Sequence, residues 1–169
     1  MSMHYEVGNL LNSNCSIICH QVNCQGKMNS GIAKAIREKW PIVFERYEEW
    51  YMSCKIWARI NMNEINNLNI NATDIMLGNI QIVPTPEEKT IINMAAQDNF
   101  GYDGRRYTSY DAFWSCLGKI KDAVPKGSTI GFPDHIGSCR GGANWNIIKT
   151  MIEEVLSKDY EVYIYKLEE

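Results

Sequence analysis

A short apolar run, Cys15–Cys19, leads through His20-Gln21-Val22-Asn23-Cys24-Gln25-Gly26-Lys27-Met28-Asn29-Ser30-Gly31-Ile32-Ala33 into a segment of helical spacing. A strand therefore runs into a polar turn, a loop of small residues and a helix start. Such a junction turns several backbone N–H groups of loop and helix N-terminus toward one point, where an anion can sit. A second stretch of the same character, Gly137–Trp145, follows the apolar run Thr129–Phe132. Two such loops suit the two ends of one diphosphate.

The rest of the chain supplies the frame. His4–Val7 reads as a first strand and Cys15–Gln21 as a buried central one, the two forming a hairpin-like pair. Ile32, Ala35 and Ile36 recur at helical spacing, and Trp40 before Pro41 ends that helix because a residue preceding proline is steered out of the helical region. Pro41 suits the first turn of a second helix, with Val43, Phe44, Tyr47 and Trp50 or Tyr51 on its inner face. Ile75–Val83 reads as a strand with a turn or bulge at Gly78-Asn79, and Thr90–Ala96 as another. Asn99–Tyr107 has no period and reads as a loop. A helix follows from Ser109 to about Ala123, closed by Pro125 and Gly127. Trp145–Leu156 is an amphipathic helix and Glu161–Leu167 a closing strand. The Asn-rich stretch Asn61–Asn71 reads as a surface segment.

Strands that alternate with helices predict an α/β fold: a three-layer α/β/α sandwich around a mixed, mostly parallel sheet, one domain over residues 1–169. Ligands of such sheets bind at the carboxyl ends of the strands, and both small-residue loops follow strands directly.

Composition narrows the function by exclusion. A formal net charge of -3 over 169 residues argues against a dominant nucleic-acid backbone contact. No apolar run approaches the roughly 20 residues of a membrane span, and neither a secretory leader nor a membrane partner is expected. The six cysteines form no CxxC pair and histidines number only three, which speaks against zinc. Free, mostly buried thiols in a reducing cytoplasm are expected.

Within the loops, Asn23 stands just past a buried strand. Its amide suits sugar hydroxyls or an attacking water, and equally suits closing its own turn. Met28-Asn29-Ser30-Gly31 lets a ligand approach the backbone closely, yet it is no Walker loop, since no Gly-Lys-Ser/Thr follows. In the second loop small residues flank Arg140, and a helix follows at once.

These pieces together resemble the macro domain family. The matching stretches are Gly8-Asn9-Leu10-Leu11, His20–Ile32, Asn93–Gln97, Gly104-Arg105-Arg106-Tyr107, Ile136–Trp145 and Val162-Tyr163-Ile164-Tyr165. The chain looks closest to the branch of ADP-ribose-1″-phosphate phosphatases and terminal ADP-ribose protein glycohydrolase-like proteins. The resemblance implies ADP-ribose or a close derivative as the small-molecule ligand, without metal or cofactor. It places Asn23 beside the distal ribose, and Met28, Asn29, Ser30, Gly31 and Ile32 against that ribose and its phosphate. Gly137, Ser138, Cys139, Arg140, Gly141 and Gly142 would cradle the diphosphate. Asn9 would meet the adenine, with Tyr165 on the adenosine side and Leu10 in the binding set. His20, Gln97 and Asn144 complete the implied binding set.

The chain departs from its relatives at several places. Asn9 replaces an aspartate that recognises the adenine amino group. The second loop reads Gly141-Gly142-Ala143-Asn144-Trp145 where this branch often has Gly-Gly-Asp-Trp, and an amide cannot act as a carboxylate base. The lysine and aspartate of the glycohydrolase are replaced within Ala96–Phe100 and at Gly141. The leading expectation is hydrolysis of ADP-ribose-1″-phosphate by water positioned at Asn23, with acid–base help from His135, His20 or Asp134. A non-catalytic ADP-ribose binding module, and a hydrolase that removes ADP-ribose from modified macromolecules, are the alternatives. Nucleic acid enters only as such a modified substrate, through a loop whose Arg105 and Arg106 otherwise pair with surface carboxylates. A monomer is expected.

Overall fold

The structure is a computed structural model that describes residues 2–62 and 70–168. Its elements, in chain order, are β1 (Met3–Val7), a 3-10 turn (Leu10–Asn12), β2 (Ile17–Val22), α1 (Gly31–Lys39), α2 (Pro41–Met62) and α3 (Ala72–Met76). There follow β3 (Ile80–Pro84), β4 (Thr90–Ala95), α4 (Tyr110–Ala123), β5 (Thr129–Pro133), α5 (Trp145–Leu156) and β6 (Glu161–Lys166). The six strands form one sheet in the order β1-β6-β5-β2-β4-β3. All neighbours are parallel except β3 and β4, which pair antiparallel. This is the expected mixed, mostly parallel sheet.

Two apolar layers sandwich it. The alternation of side chains along a strand sends Ile17 and Cys19 of β2 to one face and Ile18 and Val22 to the other. The first face is covered by α4 and α5. Phe113, Cys116, Leu117 and Ile120 of α4, and Ile148, Ile152 and Leu156 of α5, are buried at helical spacing. Each such side chain contributes about 1.5–3 kcal/mol on burial. The second face is covered by α1, α2 and α3 through Ile36, Val43, Tyr47 and Met76. Trp40 caps α1 with φ -130°, and α2 starts at Pro41, as the pre-proline restriction requires.

Two expectations are corrected. The first two strands do not pair: β1 lies at the sheet edge beside β6, while β2 sits between β4 and β5. The near-continuous apolar run of β2 is buried on both faces and demands a central place, whereas β1 ends in exposed residues suited to an edge. The hairpin is β3–β4, closed by the Thr85 N–H to Lys89 carbonyl bond at 2.8 Å. Likewise, Ile75 and Met76 belong to α3, and the strand begins only at Ile80. A capping box decides this, in which Asn71 accepts from the Asp74 N–H and Asp74 accepts from the Asn71 N–H. Gly78, at φ +87°, then turns the chain into β3.

Of the Asn-rich stretch, residues 63–69 lie outside the described residues. Five cysteines are free and buried, and Cys139 is free and exposed. Among the described residues no helix is long and apolar enough to cross a membrane.

A candidate ligand cleft at the strand ends

Because β2, β4, β5 and β6 run parallel, the loops that follow them open on one edge of the sheet. There they enclose a cleft of about 500 Å³. The first loop forms one wall, and it is held by Asn23. The Asn23 Oδ1 accepts from the Gln25 N–H at 2.9 Å, and its Nδ2 donates to the Lys27 carbonyl at 3.0 Å. Beneath it the buried Tyr47 hydroxyl donates to the Asn23 carbonyl at 2.6 Å, lies 2.8 Å from Oδ1, and accepts from the Gly26 N–H. Burial raises the pKa of this phenol, which keeps it a neutral donor. Asn23 therefore closes its own turn and still lines the cleft, with one amide hydrogen to spare.

Beyond Asn23 the chain enters α1 without a side-chain cap: Ser30 makes no capping hydrogen bond. The N–H groups of Met28, Asn29, Ser30, Gly31, Ile32 and Ala33 meet no acceptor among the described residues. All six residues line the cleft. The positive end of α1 thus faces the cavity with its first-turn donors free.

The second wall is the β5–α5 loop. Here Ile136, Ser138 and Ala143 donate within the loop. The N–H groups of Gly137, Cys139, Arg140, Gly141 and Gly142 meet no acceptor among the described residues. Of these, Gly137, Cys139, Arg140 and Gly141 line the cleft, an arrangement suited to an anion. Gly141 is a close-packing requirement, since a Cβ there would sit 2.2 Å from Thr108 Oγ1 and 2.5 Å from the Gly137 carbonyl oxygen. At the head of the loop Asp134 Oδ2 lies 2.7 Å from His135 Nδ1, and the imidazole stacks on Trp145 with ring centroids 5.2 Å apart. His135 adopts φ +59°, and both it and Asp134 line the cleft.

The segment after β4 makes the third wall. Gln21 Nε2 donates to Gln97 Oε1 at 2.7 Å and to Thr108 Oγ1 at 2.8 Å, and the Thr108 hydroxyl donates to the Gly137 carbonyl at 2.8 Å. This relay ties the end of β2 to both flanking walls. Gln21 Oε1 is buried with no partner among the described residues. At the mouth, the Arg140 guanidinium lies 4.5 Å from the Tyr102 ring centre and donates to its hydroxyl at 3.1 Å. Arg105 pairs with Asp103 at 3.3 Å, and Arg106 stacks on Tyr110.

Of the residues singled out from the sequence, the structure brings Asn23, Met28, Asn29, Ser30, Gly31, Ile32, Gln97, Asp134, His135, Gly137, Cys139, Arg140 and Gly141 together around this cavity. The others take different places. Asn9 caps the 3-10 turn by accepting from the Leu11 N–H, and Leu10 packs against Gly131. Asn144 caps α5 by accepting from the Asn146 N–H. Gly142 is wedged against the backbone of Arg105, and the Ser138 hydroxyl turns back to the Ile136 carbonyl. Tyr165 lies on β6 with its ring 6.3 Å from that of Tyr163.

His20 is fully buried, with Nε2 2.5 Å from Asn93 Oδ1 and Nδ1 without a partner among the described residues. Burial holds its pKa at about 4, so it is neutral at pH 7. Strand alternation explains the contrast with its neighbour: His20 faces the α1–α3 layer beneath the sheet, and Gln21 faces the cleft. Gln21, Lys27, Phe100, Tyr102 and Leu167 also line the cavity and were not singled out. A polar residue at the carboxyl end of a buried strand was the available signal for Gln21. Aromatics in an aperiodic loop were the signal for Phe100 and Tyr102.

No protein-family model matches the sequence, and no curated protein matches it. Solved structures do. One from Bacteroides thetaiotaomicron, of unknown function, is 24% identical with a TM-score of 0.77, covering 98% of both chains. The macrodomain of Mycobacterium tuberculosis DarG is 19% identical with a TM-score of 0.70 over 96% of both chains. The Thermosipho africanus DarTG structure in complex with ADP-ribose is 15% identical with a TM-score of 0.70, covering 96% of this chain and 41% of that one. A three-layer α/β/α protein with two N–H-lined loops at its strand ends is thus the class to which the chain belongs. Its particular architecture is the macrodomain fold.

Proposed function

We propose that the cleft binds ADP-ribose or a close derivative, and that the protein hydrolyses ADP-ribose-1″-phosphate to ADP-ribose and phosphate. One observation carries the binding reading: two runs of backbone N–H groups without acceptors among the described residues border the same cavity of about 500 Å³. Orphaned donors of this kind are satisfied by anionic oxygens, and two runs match a ligand with a diphosphate and a further charged end. The ADP-ribose bound in the structurally similar Thermosipho protein supports the choice of ligand. Its distal ribose would rest on Asn23, through the free amide hydrogen, and on the Met28–Ile32 segment. The Gly137–Gly142 loop would hold the diphosphate, with Asn9, Leu10 and Tyr165 on the adenosine side.

For turnover, Asp134 fixes His135 through Nδ1 and leaves Nε2 to accept a proton from the attacking water. The water oxygen bonds to phosphorus as the phosphorus–O1″ bond breaks, the leaving ADP-ribose oxygen takes the proton, and inorganic phosphate departs. The free N–H groups at α1 would stabilise charge on the phosphoryl oxygens.

A second reading, binding without turnover, is favoured by the Asn23 geometry. Its Oδ1 already accepts from the Gln25 and Lys27 N–H groups, which leaves it poorly placed to orient a water. Phosphate release from ADP-ribose-1″-phosphate separates the two. Release that His135→Ala abolishes supports hydrolysis, whereas calorimetric ADP-ribose binding without release leaves a binding module. Absence of ADP-ribose binding would overturn both.

A further inference from the structure

We propose that the outer face of α2 docks a second copy of this chain in antiparallel orientation. The element is long, 22 residues, and its inner face is spent on the core through Val43, Tyr47, Cys54 and Ala58. The opposite face carries Met52, Ile56 and Ile60, which are 46%, 56% and 57% exposed, and Trp57 at its shoulder is 51% exposed. At four-residue spacing the first three lie in one stripe along the helix. Lone exposed apolar side chains are ordinary, but a continuous stripe of large ones marks an interaction surface.

The charges around the stripe select the occupant. Glu48 and Glu49 stand toward its amino end, and Lys55 and Arg59 toward its carboxyl end. A foreign helix has no reason to match that polarity, but a second α2 running antiparallel does. With the two-fold axis near Cys54, Met52 of one copy faces Ile56 of the other, and Glu49 faces Arg59. The same register forms the Met52–Ile56 and Glu49–Arg59 pairs at once and brings Ile60 level with Glu48 of the other copy. The four apolar side chains expose on the order of 400 Å². With the charged flanks this approaches the roughly 800 Å² per partner of a standard interface. Glu49 and Arg46, 3.7 Å apart in one chain, form only an exposed i,i+3 pair, so Glu49 is available for exchange. No residue of α2 is among those that line the cleft. This inference departs from the monomer expected from sequence.

Sedimentation of the whole protein across a concentration series up to about 100 µM tests it. Twice the monomer mass is expected for the native sequence, and the monomer mass for Ile56→Asp. Glu49→Arg and Arg59→Glu should each weaken association about tenfold by placing like charges together, and the double variant should restore it. All three positions are solvent-exposed, and thermal unfolding of each variant confirms that the fold is kept. A monomeric native protein at the highest concentration would overturn the proposal. So would indifference to the single charge reversals, or failure of the double reversal to recover the dimer.

Discussion

At the scale of single residues, His20 and Gly141 set opposite kinds of demand. His20 is neutral in the folded state, with its pKa held at about 4 by burial against an ordinary 6.5. Between those values the unfolded chain binds a proton that the native state refuses, so stability falls as pH drops from about 6.5 toward 4. The span corresponds to a loss on the order of 3 kcal/mol. Urea unfolding at several pH values should show that slope, and His20→Gln should flatten it. An unchanged slope in the variant would assign the acid sensitivity to another group. Gly141 is a steric demand. Gly141→Ala must displace Thr108 or the Gly137 carbonyl, which costs about 1–3 kcal/mol of stability. The distorted loop should bind ADP-ribose at least about tenfold more weakly, as read by calorimetry.

At the scale of elements, the two N-termini that border the loops differ in one respect. The α5 start is capped by Asn144, and the α1 start is open. Ser30→Asp would close it with a carboxylate, which suits a helix N-terminus by about 0.3–1 kcal/mol. The same carboxylate would occupy the anion position. Thermal stability should therefore hold or rise while ADP-ribose affinity falls about tenfold or more. A parallel fall in both would mean that α1 does not face the ligand. These elements were legible because local chemistry announces them: apolar runs that end in small residues, Trp40-Pro41 at a helix boundary, Ile148 and Ile152 at helical spacing. Where local signals competed, reading by apolarity failed, as at Ile75 and Met76, which the Asn71–Asp74 box recruits into α3. The third wall of the cleft left little trace. Gln21 and Thr108 are 87 positions apart, and only the packed sheet brings their side chains within 2.8 Å. The burial of His20 was hidden for the same reason, because its partner Asn93 comes from another strand.

For the whole molecule, ligand binding and stability are linked. A ligand held only by the native state at about 100 times its dissociation constant adds about 2.7 kcal/mol. For a chain of this size that is a rise of about 5–10 °C in the unfolding midpoint. ADP-ribose should produce it, and AMP or ribose-5-phosphate, each reaching one loop only, should produce less. An equal shift with AMP would mean that one loop does all the work. The pairing of β2 with β5 has a further consequence. Ile17 and Ile18 meet Ile130 and Gly131 in register, and this seam, with the Gln21–Thr108–Gly137 relay, joins the halves of the cleft across more than a hundred positions of chain. Closing so long a loop comes late in folding, because its entropic cost precedes its reward. Neither half of the polypeptide carries the cleft alone, and a nascent chain gains it only when the last strands arrive. Holding a ligand would therefore report that β5 has joined the sheet beside β2.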